Sequence, residues 1–311
     1  MSPWRIRVPR RGYGSTSSEP QSGYSSEDPQ PQSRPGGGSA FKKRLILALI
    51  IAIFAVVSYY GKPQDENAVT GEVERVALDD EAQEIQLGLQ AAPEMAQQHG
   101  GPSRKLADRQ YVEEVGHRLL EALEKDLRAK GRHNPYYDAF HFTLLADDQV
   151  VNAFALPGGQ VFITQALYRD LETEGQLAGV LGHEMGHVLS RHGNKQMAKQ
   201  GLVQGLAGAA GVLGGTEESA RSAQMIAAVI SMKYGREHEL ESDQWGVRLC
   251  AMAGYDPRAM IGVMEVLDRA SGGQSPPEFF STHPKPANRV KYIKGVIAAE
   301  FPEGVPPGLQ P

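Results

Sequence analysis

The residues His183-Glu184-Met185-Gly186-His187 are the first place in this chain where type and spacing together could do chemistry. They sit in a run, Glu174 to His192, whose apolar residues Leu177, Val180, Leu181, Val188 and Leu189 recur at helical spacing. On a helix, residues four apart lie about 40° apart and one turn above each other. Two imidazoles so placed can reach one tetrahedral zinc ion at about 2.0–2.1 Å. Glu184 falls about 60° round the helix from His187. It faces the same cleft without ligating, which suits a general base acting on a water that the metal activates. Gly186 weakens the helix but lets another segment come close on the metal side. The bland alternative is a buried helix carrying two satisfied histidines.

A catalytic zinc site needs a third protein ligand and an open fourth position. Glu239 is the candidate, in Glu239-Leu240-Glu241-Ser242-Asp243. This helical run continues through Trp245, Val247 and Leu249. Glu239 and Asp243 are again four apart and face one way. Glu239 can ligate while Asp243 accepts the second ring N–H of a metal-bound histidine, fixing its tautomer. By type alone Glu237 and Glu241 are rival ligands. The alternative is that all of these acids form a solvated helix face.

The elements that must position these residues follow from the rest of the chain. It has 311 residues, 41% apolar and 22% charged, which excludes wholesale disorder, collagen and a many-span membrane protein. One cysteine, Cys250, excludes a disulfide scaffold and a cysteine-built metal site. Net charge is −5. Residues 1–44 hold eight basic and three acidic residues, and the remainder 24 and 34, so the body carries −10. Such a body argues against a nucleic-acid binder, whose footprint is basic.

Residues 1–40 are rich in Gly, Pro and Ser and read as a disordered basic tail, with Arg5, Arg7, Arg10 and Arg11 as a possible docking arm. Residues 41–60 read as a transmembrane anchor: Lys42-Lys43-Arg44 precede Leu45–Tyr60, sixteen uncharged residues. That run gives roughly 24 Å of helix against a hydrocarbon core of about 30 Å. Snorkelling basic stems and the Tyr59/Tyr60 pair can make up the difference. The basic flank places the N-terminus in the cytoplasm and the catalytic domain on the extracytoplasmic side, in a bacterium the periplasmic face of the inner membrane. Residues 61–78 read as a linker, 79–301 as the globular domain and 302–311 as a flexible stub.

Within the domain, the spacing predicts one helix capped by Asp79/Asp80 and running to about Gln98, and a second from about Ala107 to Lys130. Strands follow at Ala139–Leu145, Val150–Leu156 and Gln160–Thr164, the last two joined by a Pro157-Gly158-Gly159 turn. From Thr173 the pattern is helical. The fold class is therefore mainly α with a small β-sheet (α+β). Gly201–Gly215 is apolar and glycine-rich, but too short to span a membrane. It reads as a small-residue helical hairpin or as a lid over the cleft.

Four blocks resemble one family of zinc metallopeptidases, in that family's order. They are Asn152-Ala153-Phe154-Ala155-Leu156-Pro157-Gly158-Gly159, the His183–His187 motif, Arg236–Asp243 followed by Gly246, and Ser281-Thr282-His283-Pro284 with Arg289. The family is the gluzincins that include the HtpX-type membrane proteases, the prenyl-protein (CAAX) proteases, the mitochondrial Oma-type protease and the BepA-type proteases. The resemblance is strongest to BepA-like catalytic domains and covers about residues 80–300. It implies a zincin-like metallopeptidase domain and one Zn2+ per chain. His183, His187 and Glu239 match the ligands, Glu184 the catalytic base and Asp243 the outer acid. Asn152, Ala153, Phe154, Ala155, Leu156 and Pro157 match the edge strand that holds substrate backbone. His283 matches a histidine that can latch the open metal position, and Arg289 a residue that could steady the oxyanion. Two departures stand out: no tetratricopeptide repeats follow the domain, and no lipobox cysteine precedes it. The implied function is a membrane-anchored zinc endopeptidase acting on unfolded or misassembled envelope proteins. The rival is a latched, weakly proteolytic chaperone. The implied partners are a polypeptide substrate and the membrane, through one N-terminal helix.

Overall fold

The computed structural model describes residues 37–62, 64–214, 234–272, 277–283 and 288–311. The expected N-terminal tail lies outside the described residues up to position 36, as does Pro284. The described chain is mainly helical with one three-stranded sheet.

Helix α1 (Gly37–Tyr60) opens the described chain. A short antiparallel pair, β1 (Asp65–Glu66) and β2 (Val73–Glu74), follows in the expected linker. This region is tied to the domain: the Asn67 side-chain amide donates to the Leu189 carbonyl at 2.8 Å, and Val69 and Val76 are buried. Helix α2 (Glu81–Gln98) starts where the acidic cap predicts, with Asp80 Oδ1 accepting from Ala82 N at 2.9 Å. Helix α3 (Leu106–Ala129) buries the stripe Val112, Val115, Leu119, Leu120, Leu123 and Leu127. Each such side chain contributes roughly 1.5–3 kcal/mol on burial.

Strands β3 (His141–Leu145), β4 (Ala153–Leu156) and β5 (Gln160–Thr164) form the sheet in the order β3-β5-β4. β5 pairs parallel with β3 and antiparallel with β4. It is central and buried along its whole length, and β4 is left at an edge. Gly158 and Gly159 turn the chain between β4 and β5 with φ of 82° and 114°, in the region that favours glycine.

Helix α4 (Gln165–Asp170) leads to α5 (Glu174–Leu189), capped by Thr173 and buried from Gly175 to Leu189. α5 is the hydrophobic axis of the domain. The helical run expected through His192 breaks instead at Ser190–Arg191, where Arg191 takes a φ of 51°. Arg191 is held there by Nε donating to Glu84 at 2.6 Å and Nη2 donating to the Leu78 carbonyl at 3.0 Å. Helix α6 (His192–Gly214) then leaves in a new direction and packs along α1, where a Cβ on Gly205 would stand 2.5 Å from the Ala55 Cβ. The segment expected as a hairpin or lid instead continues α6 from Gly201 to Gly214, and Gly215 lies outside the described residues. Helices α7 (Arg236–Met252), α8 (Ala259–Ser271), the single turn α9 (Phe279–Thr282) and α10 (Arg289–Glu300) complete the domain. The terminal residues fold back onto it, with Gly175 N donating to the Pro311 carbonyl at 2.9 Å.

The segment expected as a membrane anchor, residues 41–60, is helical and lies within α1. Among the described residues, however, no helix is long and apolar enough to cross a membrane. The uncharged run Leu45–Tyr60 stops about 6 Å short of the hydrocarbon thickness.

α5 and α7 meet through glycines. A Cβ on Gly182 would stand 3.2 Å from Gly246 Cα, and one on Gly186 would stand 2.8 Å from Trp245 Cβ and 3.0 Å from Ser242 Cα. Gly186→Ala is expected to force α7 away and cost about 1–3 kcal/mol, outweighing the roughly 1 kcal/mol that alanine returns in helix propensity. Gly295→Ala, in α10 with open space around it, is expected to gain up to about 1 kcal/mol. Denaturant unfolding of the two variants checks both signs, and equal effects would refute the close-approach argument.

Candidate active site

α5 supplies three of the site's side chains from one buried turn. His183 and His187 are each 3% exposed, and their Nε2 atoms lie 3.2 Å apart. Glu184 sits between them in sequence and is 1% exposed. α7 brings Glu239 across the glycine contact. Its Oε2 lies 3.7 Å from His183 Nε2, and its Oε1 lies 3.5 Å from His187 Nε2. The turn α9 ends at His283, fully buried, with Nδ1 3.1 Å from Glu239 Oε1 and Nε2 3.7 Å from Glu184 Oε1.

Hydrogen bonds assign the tautomers. His183 Nδ1 lies 3.1 Å from Asp243 Oδ1, so that ring nitrogen carries the proton and donates. His192 Nε2 lies 3.1 Å from Glu241 Oε2 and donates to it. Burial holds His192 below its ordinary pKa, against the pull of Glu241, so its other nitrogen is an acceptor. His187 Nδ1, 3.0 Å from His192 Nδ1, is then the donor of that pair. Burial also pushes the His187 pKa well down and keeps it neutral. Both Nε2 atoms therefore present lone pairs to each other.

Two facing lone pairs at 3.2 Å repel unless a cation lies between them. Beside them, Glu239 Oε2, both Glu184 oxygens and His283 Nε2 are buried without a hydrogen-bond partner. Ligand atoms of His183, His187, Glu239 and His283 all lie within 4.8 Å of one another. Unprotonated imidazoles plus a carboxylate make a donor set that suits zinc. The residues fit the ion. Glu237 is exposed, and Glu241 is engaged by His192, so neither rival joins the cluster.

Asp243 and Arg289 form a buried pair. Arg289 Nε donates to Asp243 Oδ2 at 2.9 Å and Nη2 to Oδ1 at 2.5 Å, the fork geometry of a strong bidentate contact. Its Nη1 lies 3.4 Å from Glu239 Oε2. Arg289 thus spans the two acids of α7, and Nη1 stays without a hydrogen bond. Burial raises the pKa of Glu184, with His283 and His183 opposing it. Burial would also raise that of Glu239, but His283, His183 and Arg289 outweigh it and hold the carboxylate low.

Of the substrate-strand residues, Ala153, Phe154, Ala155 and Leu156 form β4, with Asn152 before it and Pro157 at the turn. Ala155, Leu156 and Pro157 border the recess that His187 and Tyr234 also line. Asn152 N donates to Thr164 Oγ1, and its carboxamide oxygen is buried without a partner. Val151, just before the strand, accepts from Phe279 N at 3.4 Å and so ties the α9 turn to this edge.

Three contributors escaped the sequence reading. His192 orients His187, and only the break at Arg191 brings it there. Tyr234 lays its ring 4.2 Å from that of His187. Glu84, from α2, is 1% exposed and anchors Arg191, Asn194 and Tyr136 beneath the site. No spacing in the sequence signals any of these.

The comparisons with known proteins bear on this geometry. The chain matches the description Peptidase family M48 over residues 108–297. The chain belongs to peptidase family M48. It carries a zinc metallopeptidase domain, and the M48 match spans α3, the sheet, both metal-facing helices and α10. It is 33% identical over 202 residues to the beta-barrel assembly-enhancing protease of Escherichia coli K12, covering 58% of this chain and 37% of that one. It is 26% identical to the mitochondrial metalloendopeptidase OMA1 of Arabidopsis thaliana, covering 68% and 41%. It is 30% identical to the metalloprotease YcaL of Escherichia coli K12, covering 48% and 59%. The chain thus spans well under half the length of the first two relatives.

Asp243→Asn is expected to leave His183 a poorer acceptor for its ring proton and weaken zinc binding about 10–100-fold. Chelator competition on the folded variant measures this, and an unchanged zinc Kd would remove the role assigned to Asp243.

Proposed function

We propose that the protein is a membrane-anchored zinc endopeptidase that hydrolyses peptide bonds of unfolded or misassembled envelope proteins. The observation that carries the reading is the buried cluster of His183, His187 and Glu239 beside an unpartnered Glu184 carboxylate. Zinc held there supplies Lewis-acid polarisation of a water and of the scissile carbonyl.

The chain's own residues do the rest. Glu184, with both oxygens free of hydrogen bonds, takes the proton of the attacking water and returns it to the leaving amine. Asp243 and His192 hold the two imidazoles in the tautomers that leave Nε2 unprotonated. The edge of β4 adds an extended segment of substrate by main-chain hydrogen bonds, a mode that reads backbone more than side chains and suits unfolded chains. Arg289 Nη1, buried without a hydrogen bond and 3.4 Å from Glu239 Oε2, is the group available to steady negative charge developing there. The envelope setting rests on the likeness to a beta-barrel assembly-enhancing protease and on the basic residues that precede Leu45–Tyr60. On this reading the positive flank keeps the N-terminus in the cytoplasm, with the domain outside. What supports the anchor is the uncharged run Leu45–Tyr60 of α1, whose large apolar side chains are left exposed by the rest of the chain.

A second reading, a latched chaperone of low proteolytic activity, has one observation behind it: His283 lies between Glu239 and Glu184, where it could serve as a fourth ligand to a bound ion.

Glu184→Gln is expected to lower cleavage of unfolded casein about 10²–10⁴-fold with zinc content unchanged. Cleavage at the parent rate would end the enzymatic reading. His283→Ala is expected to raise basal cleavage by vacating the fourth position, and the same assay reporting equal or lower activity would remove the latch. Suppression of aggregation by both variants without any cleavage would favour the chaperone.

A further inference from the structure

α1 and α6 pair in a way that inverts the rule for water-soluble helices. The interface between them is built from small residues: Ala48, Ala55 and Ala209 are buried, and Gly205 meets Ala55. The large apolar residues face outward. Ile46, Leu49, Ile50, Ile53, Phe54 and Val57 are each more than half exposed, and Leu206 of α6 is 41% exposed. In water such side chains turn inward and polar ones outward. Small residues at a helix contact with large apolar residues outside is how helices associate in lipid.

The angular spread of the exposed residues says which apolar partner fits. At 100° per residue, Ala48 and Ala55 point the same way to within about 20°. The exposed apolar residues from Leu45 round to Leu47 cover an arc of about 200° opposite them. A helix docked on a protein surface needs an apolar stripe of only about 100°. An arc twice that width suits a solvent that surrounds the helix. Along the helix axis, Lys42, Lys43 and Arg44 precede the apolar run and the Tyr59/Tyr60 pair closes it, as basic and aromatic residues border hydrocarbon.

The two helices run antiparallel. Lys62, just past α1, and Asn194, at the start of α6, both hydrogen-bond to the backbone of the segment Val76–Leu78. The contact of Ala55 with Gly205 lies away from that end. α6 carries its last lysine at Lys199, and from Gly201 to Gly214 it has no charge.

We infer that α6, a helix of the catalytic domain, lies in the membrane beside α1, so that the hydrocarbon layer and not α1 alone holds the enzyme. The inference rests on the anchoring reading above and extends it to the domain itself. Neither uncharged run, about 24 Å in α1 and about 21 Å in α6, matches the full hydrocarbon thickness, and a short pair is accommodated by local thinning. α6 begins at His192, hydrogen-bonded to His187, and enters its uncharged stretch nine residues later, a rise of about 14 Å. The metal-facing histidines therefore sit close above the bilayer surface. The substrates so reached are polypeptide segments lying on or emerging from that surface.

The test uses the full chain in vesicles of phosphatidylcholine and phosphatidylglycerol, with an environment-sensitive fluorophore on Leu206→Cys, Ile50→Cys or Gln97→Cys. Gln97 is exposed at the end of α2, and the native Cys250 is fully buried, so the parent chain serves as the unlabelled control. The expected result is a blue shift and loss of emission by tail-brominated lipid at Leu206 equal to that at Ile50, with Gln97 unaffected. Val212→Cys provides a second position on α6 should Leu206→Cys fold poorly. An aqueous, unquenched label at Leu206 and Val212 with a quenched label at Ile50 would overturn the inference and leave the α1 anchor standing. Aqueous labels at all positions would overturn the anchor as well. A label at Leu206 shielded only with rising protein concentration and not by lipid would assign the face to a second copy and also overturn the inference.

Discussion

Two imidazole nitrogens 3.2 Å apart, both without a proton, set the terms for the rest of this molecule. Such a pair is repulsive on its own and stable around a cation. Each neighbour of the pair works to keep it in that state. Asp243 takes the ring proton side of His183, His192 that of His187, and Glu241 fixes His192 in turn. Arg289 then offsets the charge of Asp243 through two hydrogen bonds, because a buried carboxylate left with one partner would carry an uncompensated desolvation cost. The result is a charge network in which few members can be changed alone.

That network demands close packing of the backbones that carry it. Glu239 reaches the α5 histidines because α7 lies almost against α5, and glycines at 182, 186 and 246 make the room. Glycine is a poor helix residue, so the chain gives up helix propensity at three positions in one contact. The burial of nearly every side chain on α5 returns far more. The M48 match covers this helix pair.

The α1–α6 pair is packed by the opposite rule. Elsewhere in the described residues most large apolar side chains are buried in the core around α5. In the pair they point outward, and alanine and glycine fill the contact. Both patterns meet at the Ser190–Arg191 break, where the chain passes from the domain axis into α6. Glu84 and Leu78 hold Arg191 in a left-handed conformation that costs a non-glycine residue free energy. That strained turn aims α6 away from the domain and at the same step places His192 on the back of His187.

Spacing along the chain determined what local geometry can determine. Residues four apart on one helix must share a face, so His183 with His187 and Glu239 with Asp243 were legible before any fold was known. Asp80 marked the start of α2, the α3 stripe its buried face, and the glycine pair the β4–β5 turn. The tertiary structure alone decided contacts between segments far apart in sequence. It chose Glu239 over Glu237 and Glu241, set β5 parallel to β3, brought His283 from a separate turn into the cluster, and set Glu84 under Arg191. The physical reason is that periodicity encodes the face a side chain takes on its own element. Which face meets which depends on packing volume, buried charge balance and one strained residue, all of them properties of the assembled chain.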